Sequence, residues 1–449
     1  EGLSKEQVRK SLRNSVLDGT AYSAMAGLTV NYITPFALTM KATTTQIGLL
    51  SSIPNFTMSL VQLAAPVLSE RAGSRKGFIL PAVFLNALMW LPILLIPYIF
   101  HSNQVWWLIF FQTLVTAFDS MSNPPWGSMM ADLVYEGLRG RFFGNRNRIM
   151  NLVSMLFSFA AGGILQILTG NTNLAFSIIF SGALVSRLAS LYFLSQMNEP
   201  HPPAINQGKQ ASMFAITKGL FSTNVGGFMV FCSLMNLTTL ISGPFFTPYM
   251  LRELKFNYIT YTIINAMTAL TTIGFMTWWG RRTDRVGSIK ILKLTSYMIP
   301  FVPILWLVSG NVYWLIFAQV FSGFAWSGFQ LSSSIFIYDA SPQENRTRYI
   351  ALYNALTFLG ISIGSLAGGL IAPHLPLIKG SYFLSIFLLS GLSRMVVIFL
   401  LLPRISEVRS VPPATIKELL RPSFHFSQLK NPIESASQNI IRWWKKKRP

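Results

Sequence analysis

The sequence has one cysteine, four histidines and only 15 Asp and Glu in 449 residues. A lone Cys232 excludes a disulfide framework and a cysteine cluster for a metal. His101, His201, His374 and His425 are too scattered in the sequence to form a metal site. No phosphate-binding glycine loop and no His-Glu-x-x-His run occurs, so neither a cofactor nor an enzymatic role is expected. Charge as a whole is scarce: 11% of residues are charged, against about 25% in soluble domains. So few charges cannot cover a soluble surface of this size. What the chain has instead is apolar residues, 51% of the total, with a mean hydropathy of +0.45. A multi-pass membrane protein is expected.

The net charge of +21 is confined to particular loops. Of 36 Lys and Arg, Arg187 and Arg394 lie inside apolar runs, and Lys41, Arg252, Lys255 and Lys379 lie in one set of connections. The other 30 lie in the termini and the alternate connections. This asymmetry follows the positive-inside rule and argues against nucleic-acid binding. It places both termini and the even-numbered connections in the cytosol, and a bacterial inner membrane is expected. The first apolar run has no small-residue cleavage site after it, so a signal peptide is not expected. Glu1 in place of methionine suggests that an initiator or leader was removed.

A span needs about 20 mainly apolar residues. On that basis the chain divides into twelve, near residues 16–40, 46–68, 77–100, 105–133, 149–168, 174–197, 225–251, 257–279, 289–308, 312–339, 350–372 and 380–402. Residues 198–224, with Glu199-Pro-His-Pro-Pro, read as a cytosolic linker between an N-terminal bundle (1–197) and a C-terminal bundle (225–402). Within the linker, 213–221 could form a short surface helix. The tail, 403–449, ends Arg442-Trp-Trp-Lys-Lys-Lys-Arg448. Indoles beside a basic cluster suit the headgroups of an anionic leaflet, although a plain basic tail reads the same way.

The loops repeat. Pro66-Val-Leu-Ser-Glu70-Arg71-Ala-Gly73 has the acid, arginine and glycine of Gly280-Arg-Arg-Thr-Asp284-Arg285-Val-Gly287. Asp132-x6-Arg139-x-Arg141 recurs as Asp339-x6-Arg346-x-Arg348, 207 residues on. Duplicated halves in an apolar chain point to a secondary transporter. Twelve spans carrying these loops resemble the major facilitator superfamily over residues 15–402. The second loop matches that family's Gly-x-x-x-Asp-Arg-x-Gly signature; the first departs from it at Pro66 and Glu70. The resemblance implies an all-α fold of two pseudo-symmetric six-helix bundles rocking about a central site. It also implies a cytosolic latch from Glu70, Arg71, Asp132, Arg139, Asp284, Arg285, Asp339 and Arg346. A surface ion pair worth at most about 1 kcal/mol biases a near-balanced equilibrium without freezing it. Plain loop topology, with glycines making turns, is the competing reading.

In span 4, Gln112, Thr116, Asp119, Asn123 and Trp126 form one helical stripe. Its copy in span 10 runs Gln319, Gly323, Trp326, Gln330 and Ser333, so both helices are expected to face a wet cavity. Asp119 is the one acid deep inside a span. A carboxylate there is costly unless paired, hydrated or protonated, which suits proton coupling or attraction of a cation. An ion pair with Arg187, at similar depth in span 6, is the alternative. Arg187 repeats as Arg394, 207 residues on, and both arginines are expected to satisfy something common to the halves. Helix-end carbonyls and the acids of the cytosolic loops are the candidates. Asn31 and Tyr32 of span 1 and Asn236 and Tyr249 of span 7 complete the cavity candidates. Thr34-Pro35-Phe36 and Thr247-Pro248-Tyr249 mark places where spans could bend, for gating or for packing alone. Gly162-Gly163 and Gly360-x3-Gly364-x3-Gly368-Gly369 read as close-packing faces.

The expected function is alternating-access transport of a small organic solute, coupled to protons through Asp119, by a monomer. Proton-driven export of amphiphilic cations, uncoupled facilitation, and a non-transporting sensor or scaffold remain alternatives. Family drug exporters carry a Gly-Pro before the Gly-Gly pair of span 5, which this chain lacks.

Overall fold

Polar caps and prolines explain where the helices begin and break. Ser4 opens α1 (Lys5–Thr29) with a reciprocal box: its hydroxyl accepts from the Gln7 amide, and the Gln7 side chain accepts from the Ser4 amide. Ser74, Asn171, Thr223 and Asn257 each accept from a first-turn amide in the same manner, opening α4 (Arg75–Leu88), α8 (Thr172–Ser195), α9 (Asn224–Ser242) and α10 (Tyr258–Val286). The remaining helices are α2 (Ile33–Thr39), α3 (Thr44–Arg71), α5 (Trp90–Ile99), α6 (Gln104–Leu133), α7 (Arg139–Ile167), α11 (Ser288–Met298), α12 (Phe301–Val308), α13 (Val312–Ala340), α14 (Arg346–Ile371) and α15 (Tyr382–Leu401). The computed structural model describes residues 3–134, 139–200, 220, 223–341 and 346–408. Among these, everything regular is helical except one isolated bridge, Ile378–Ser381. The tail beyond Val408, and all of the expected surface helix except Leu220, lie outside the described residues.

The expected bends occur in corresponding places. The first span breaks between α1 and α2, just before Pro35. The seventh leaves regular α-helix at Gly243-Pro244 and runs through a 3-10 turn, Gly243–Phe245, to a π turn, Tyr249–Glu253. Pro300 likewise separates α11 from α12. Gly73 and Gly287, which end the two signature loops, take φ of +69° and +92°. Side chains rarely adopt that region, which gives the glycine of the repeated loop a physical reason.

Ten described segments are long and apolar enough to cross a membrane: 44–65, 75–99, 145–167, 172–195, 224–253, 258–283, 288–308, 312–340, 349–374 and 382–404. The other two of the twelve expected spans, built on α1 and α6, are absent from that set. They carry Asp18 and Asp119, which the structure uses in the site described below. The first helix starts at Lys5 and the last helical turn ends at Arg404 on one face, the terminal face; the loops near Lys41 and Lys255 mark the opposite face.

Packing is between helices distant in sequence. α1 packs on α7 and α8, α3 on α6, α9 on α14 and α15, and α10 on α13. The glycine face of α14 holds: a Cβ added at Gly360, Gly364 or Gly368 would run into the backbone carbonyls of Ser233, Leu237 and Ile241 on α9, whereas of the other pair Gly162 lies tight against Thr262 and Tyr32 but a Cβ at Gly163 would meet nothing. The repeat has two registers. Gly73 and Gly287 are 214 residues apart, whereas α7 and α14 begin 207 apart. The shift falls between the two signature loops and the long helices α6 and α13 that follow them.

Candidate substrate and coupling sites

The first half contains a balanced set of charges. Arg187 on α8 donates from one terminal nitrogen to Asp119 Oδ1 at 2.8 Å and from Nε to Asn86 Oδ1 at 2.7 Å. Tyr22 on α1 donates to Asp119 Oδ2 at 3.1 Å, and the Arg187 guanidinium lies 4.9 Å from the Tyr22 ring centre. Arg187 also donates to Ser190, which donates to Asp18 Oδ1 at 2.6 Å. Asp18 lies 3.9 Å from Arg146, whose guanidinium sits 4.5 Å over the Trp126 ring. Two acids and two arginines from four helices thus share one chain of contacts, buried except at the half-buried Asp119, bordering a cavity of about 110 Å³ that Asn123 and Trp126 also line. The arginines were expected to share one role; they do not. Arg187 finds a carboxylate, while Arg394 finds, among the described residues, carbonyls and hydroxyls.

The second half contains a larger cavity, about 400 Å³, lined by Thr239, Asn265, Gln319, Trp306, Trp326 and Arg394 among others, with Asn31 reaching in from the first half. No acid lines it. The α13 stripe contributes Gln319 and Trp326, while Gln330 is exposed and outside this cavity. Gln112 lines neither cavity, and its Oε1 is buried without a partner. Asn236 donates back to the Cys232 carbonyl of its own helix at 2.8 Å. Tyr249 is buried among Trp306, Phe383 and Phe387. Tyr32 is fully buried and lines neither cavity.

Tyr32 instead joins the halves, with 2.6 Å to Thr262 Oγ1 on α10 and 2.6 Å to the Ser158 carbonyl on α7. Tyr261 donates to the Asn31 carbonyl at 2.6 Å, and Arg252 to the Ala42 carbonyl at 2.7 Å. A second seam runs down α3 and α14: Thr45 to the Gly369 carbonyl, Ser51 to Ser365, Ser52 to Ser362, and Ser59 to the Ala355 carbonyl. These contacts extend from the opposite face to about the middle of the helices.

On the terminal face, Asp132 accepts from Arg75 at 2.6 Å. Arg75 also reaches Glu199, which accepts from Ser74 Oγ at 2.7 Å and from the Arg75 amide at 2.8 Å. Glu407, 208 residues on, accepts from the Ile289 amide at 2.9 Å and from Ser288 Oγ at 3.3 Å. Each half therefore clamps the helix after its signature loop with a carboxylate from beyond its last span, where positive helix-end amides favour an anion. The sequence reading missed both acids; their 208-residue spacing was the signal available. Burial pushes the Glu199 carboxyl up, and the hydrogen bonds from Ser74, the Arg75 and Lys76 amides and the Arg75 side chain outweigh it, holding it below its ordinary range. Arg71 is exposed at the end of α3, and Asp339 lies half-buried near the end of α13. The side chains of Glu70, Arg139, Asp284, Arg285 and Arg346 lie outside the described residues.

The comparisons fit this architecture. No curated protein matches the chain. Among solved structures, a mutant of the nucleoside transporter NupG is similar at TM-score 0.70 and 13% identity, covering 88% of this chain and 100% of that one. A D-xylose–proton symporter gives TM-score 0.66 at 11% identity, covering 88% and 97%. A bacterial homolog of the human lysosomal transporter Spinster, in an inward-facing and occupied conformation, gives 0.63 at 13%, covering 90% and 98%. The family model of the Major Facilitator Superfamily matches residues 19–299 and again 226–435. With its matches overlapping across nearly the whole chain, this multi-pass membrane protein belongs to the Major Facilitator Superfamily, a family of transporters and not of enzymes.

Proposed function

We propose that the chain is a secondary transporter that moves a small organic solute by alternating access, coupled to protons through Asp119. The structure holds the ion pair that was the alternative to an unpaired Asp119, and what carries the coupling reading is its place: 2.8 Å long between α6 and α8, it borders a cavity, with the Asp119 side chain 22% exposed. A buried pair is stable only while both charges are present. A proton arriving on Asp119 removes one of them and frees Arg187 to favour its other neighbours, Asn86 and Ser190. Because those contacts extend through Ser190 to Asp18 on α1, protonation at one helix is felt at four. The D-xylose–proton symporter of similar fold agrees with proton coupling.

The two seams toward the opposite face support a conformation sealed there and poised to open at the terminal face. The distribution of Lys and Arg supports that terminal face as cytosolic, in a bacterial inner membrane. Asn31 and Trp326 are the substrate contacts favoured by the larger cavity, and Asn123 and Trp126 those beside Asp119. Glu70, Arg71, Asp132, Arg139, Asp284, Arg285, Asp339 and Arg346 act as the latch on the terminal face.

Reconstituted into proteoliposomes, Asp119→Asn should abolish gradient-driven accumulation and spare exchange. The single change strands Arg187, at a cost on the order of 3 kcal/mol, so Asp119→Asn with Arg187→Gln is measured beside it to separate coupling from folding. Accumulation unchanged in Asp119→Asn would remove the coupling role. Ligand binding with no flux of any solute under a pH gradient would favour a sensor.

A further inference from the structure

The transport reading leaves the solute unspecified, and the larger cavity narrows it. Arg394, on α15, is 1% exposed and lines this cavity. Its terminal nitrogens donate to the Ile299 carbonyl at 3.1 Å, Ser242 Oγ at 3.1 Å and Ser390 Oγ at 3.0 Å. Its Nε has no partner, and no carboxylate lies within ion-pair distance of it among the described residues. Trp306, also 1% exposed and lining the cavity, has an indole N–H with no partner. One cavity is thus bordered by a buried positive charge without a counter-ion and by two buried donors without acceptors.

Such an arrangement is expensive for a purely structural arginine. Taking a cation out of water costs several kcal/mol, which neutral dipoles repay only in part. The same chain shows the satisfied case at Arg187, where a carboxylate closes the account. A carbonyl-bridging role would not require a charge, nor an open space of about 400 Å³ beside it. The walls around the two donors are aromatic: Phe246 packs 4.7 Å from Trp306, and Trp326 lines the same space. Amides and hydroxyls from Asn265, Gln319 and Thr239 supply neutral polar contacts.

We infer that the solute is an organic anion, its carboxylate received by Arg394 and Trp306 and its apolar or planar body held against Phe246 and Trp326. The inference rests on the transport reading and assigns the substrate class of the same site. The two halves then divide the work. The charge-balanced first half handles the proton, and the second half, with its uncompensated cation, handles the solute. A cationic solute is disfavoured there by Arg394 itself.

The test uses the full chain in nanodiscs and a matched series of benzoate, benzamide and benzylammonium, repeated on indole and cyclohexane bodies, with binding read by calorimetry. Each carboxylate should bind about tenfold or more tightly than its amide partner, the value of one charge-assisted hydrogen bond. Arg394→Gln should erase that preference and Arg394→Lys should keep part of it. Trp306→Phe, which keeps the ring and removes the donor, should weaken carboxylates roughly threefold or more and amides less. Amide or ammonium members binding best, no carboxylate binding, or a preference that survives Arg394→Gln would each overturn the inference. If Arg394→Gln fails to fold, the wild-type ordering and Trp306→Phe decide. Because binding is measured without flux, an anion preference in a protein that moves nothing would sink the transport reading alone; transport of neutral solutes without that preference would sink this inference alone.

Discussion

Tyr32→Phe isolates one bond of the seam between the halves. The hydroxyl sits 2.6 Å from the Ser158 carbonyl, within its own half, and 2.6 Å from Thr262 Oγ1 in the other. On the proposed rocking of the halves, the first contact stays within one half, so its loss is common to every conformation and cancels, while the second exists only when the opposite face is sealed. A neutral hydrogen bond is worth about 0.5–1.5 kcal/mol net, so the sealed state should lose roughly two- to twelvefold in population. Tyr261→Phe, which removes the bond to the Asn31 carbonyl, should act in the same direction, and the two rings are close enough (6.3 Å between centres) to couple. The assay places a cysteine at Ser322, which lines the larger cavity, on a Cys232→Ser background. A membrane-impermeant maleimide is then added to vesicles of either orientation. Labelling from the opposite face should rise and labelling from the terminal face should fall. Unchanged labelling, or a shift the other way, would refute the claim that these tyrosines hold the seal.

Two further outcomes separate gating from stability. A Cβ at Gly48 would meet the Gly369 Cα and the Ser365 carbonyl at 2.7 Å each, so Gly48→Ala should part α3 from α14 and raise labelling from the opposite face. Gly364→Ala falls on the seam of α14 with α9, inside one half, and should lower the melting temperature without that shift. For Glu199, the carboxyl held below its ordinary range means that its contribution to stability is fully present above the usual carboxylate pKa and is lost as pH falls through the lower folded value. Melting measured from pH 3 to 7 should therefore decline at the acid end, and Glu199→Gln should be less stable at neutral pH and flatter across that range.

The repeated loops made the duplication legible, because acid, arginine and glycine at fixed offsets survive in a sequence however the helices pack. The stripe on α6 was legible for the same reason: periodicity reports a face. It could not report what the face meets. Asp119, Asn123 and Trp126 border one cavity and Gln319 and Trp326 another, while Gln112 and Gln330 on the same stripes border neither. A stripe spans several turns of helix, and each cavity reaches only some of them. The arginines taught the opposite lesson. Their 207-residue spacing suggested one role, but a partner is a tertiary fact. Only the first half places an acid on the facing helix. Tyr32 and Tyr249 read as cavity residues because aromatic polar groups suit solutes, yet the broken helix ends carry them into the seam and an aromatic cluster. Glu199 and Glu407 escaped notice because each lies outside the last span of its half, where an isolated acid looks like ordinary loop.

The polar contacts across the seam of α3 with α14 are largely serine hydroxyls facing serine hydroxyls and carbonyls. When such a joint parts, water can take the place of each lost partner at nearly equal enthalpy. A zipper of leucines would instead expose oily surface at about 25 cal/mol for every Å² uncovered. On the proposed cycle, a hydroxyl joint can therefore wet and dry with little net cost, weak enough for a single proton or solute to tip the balance.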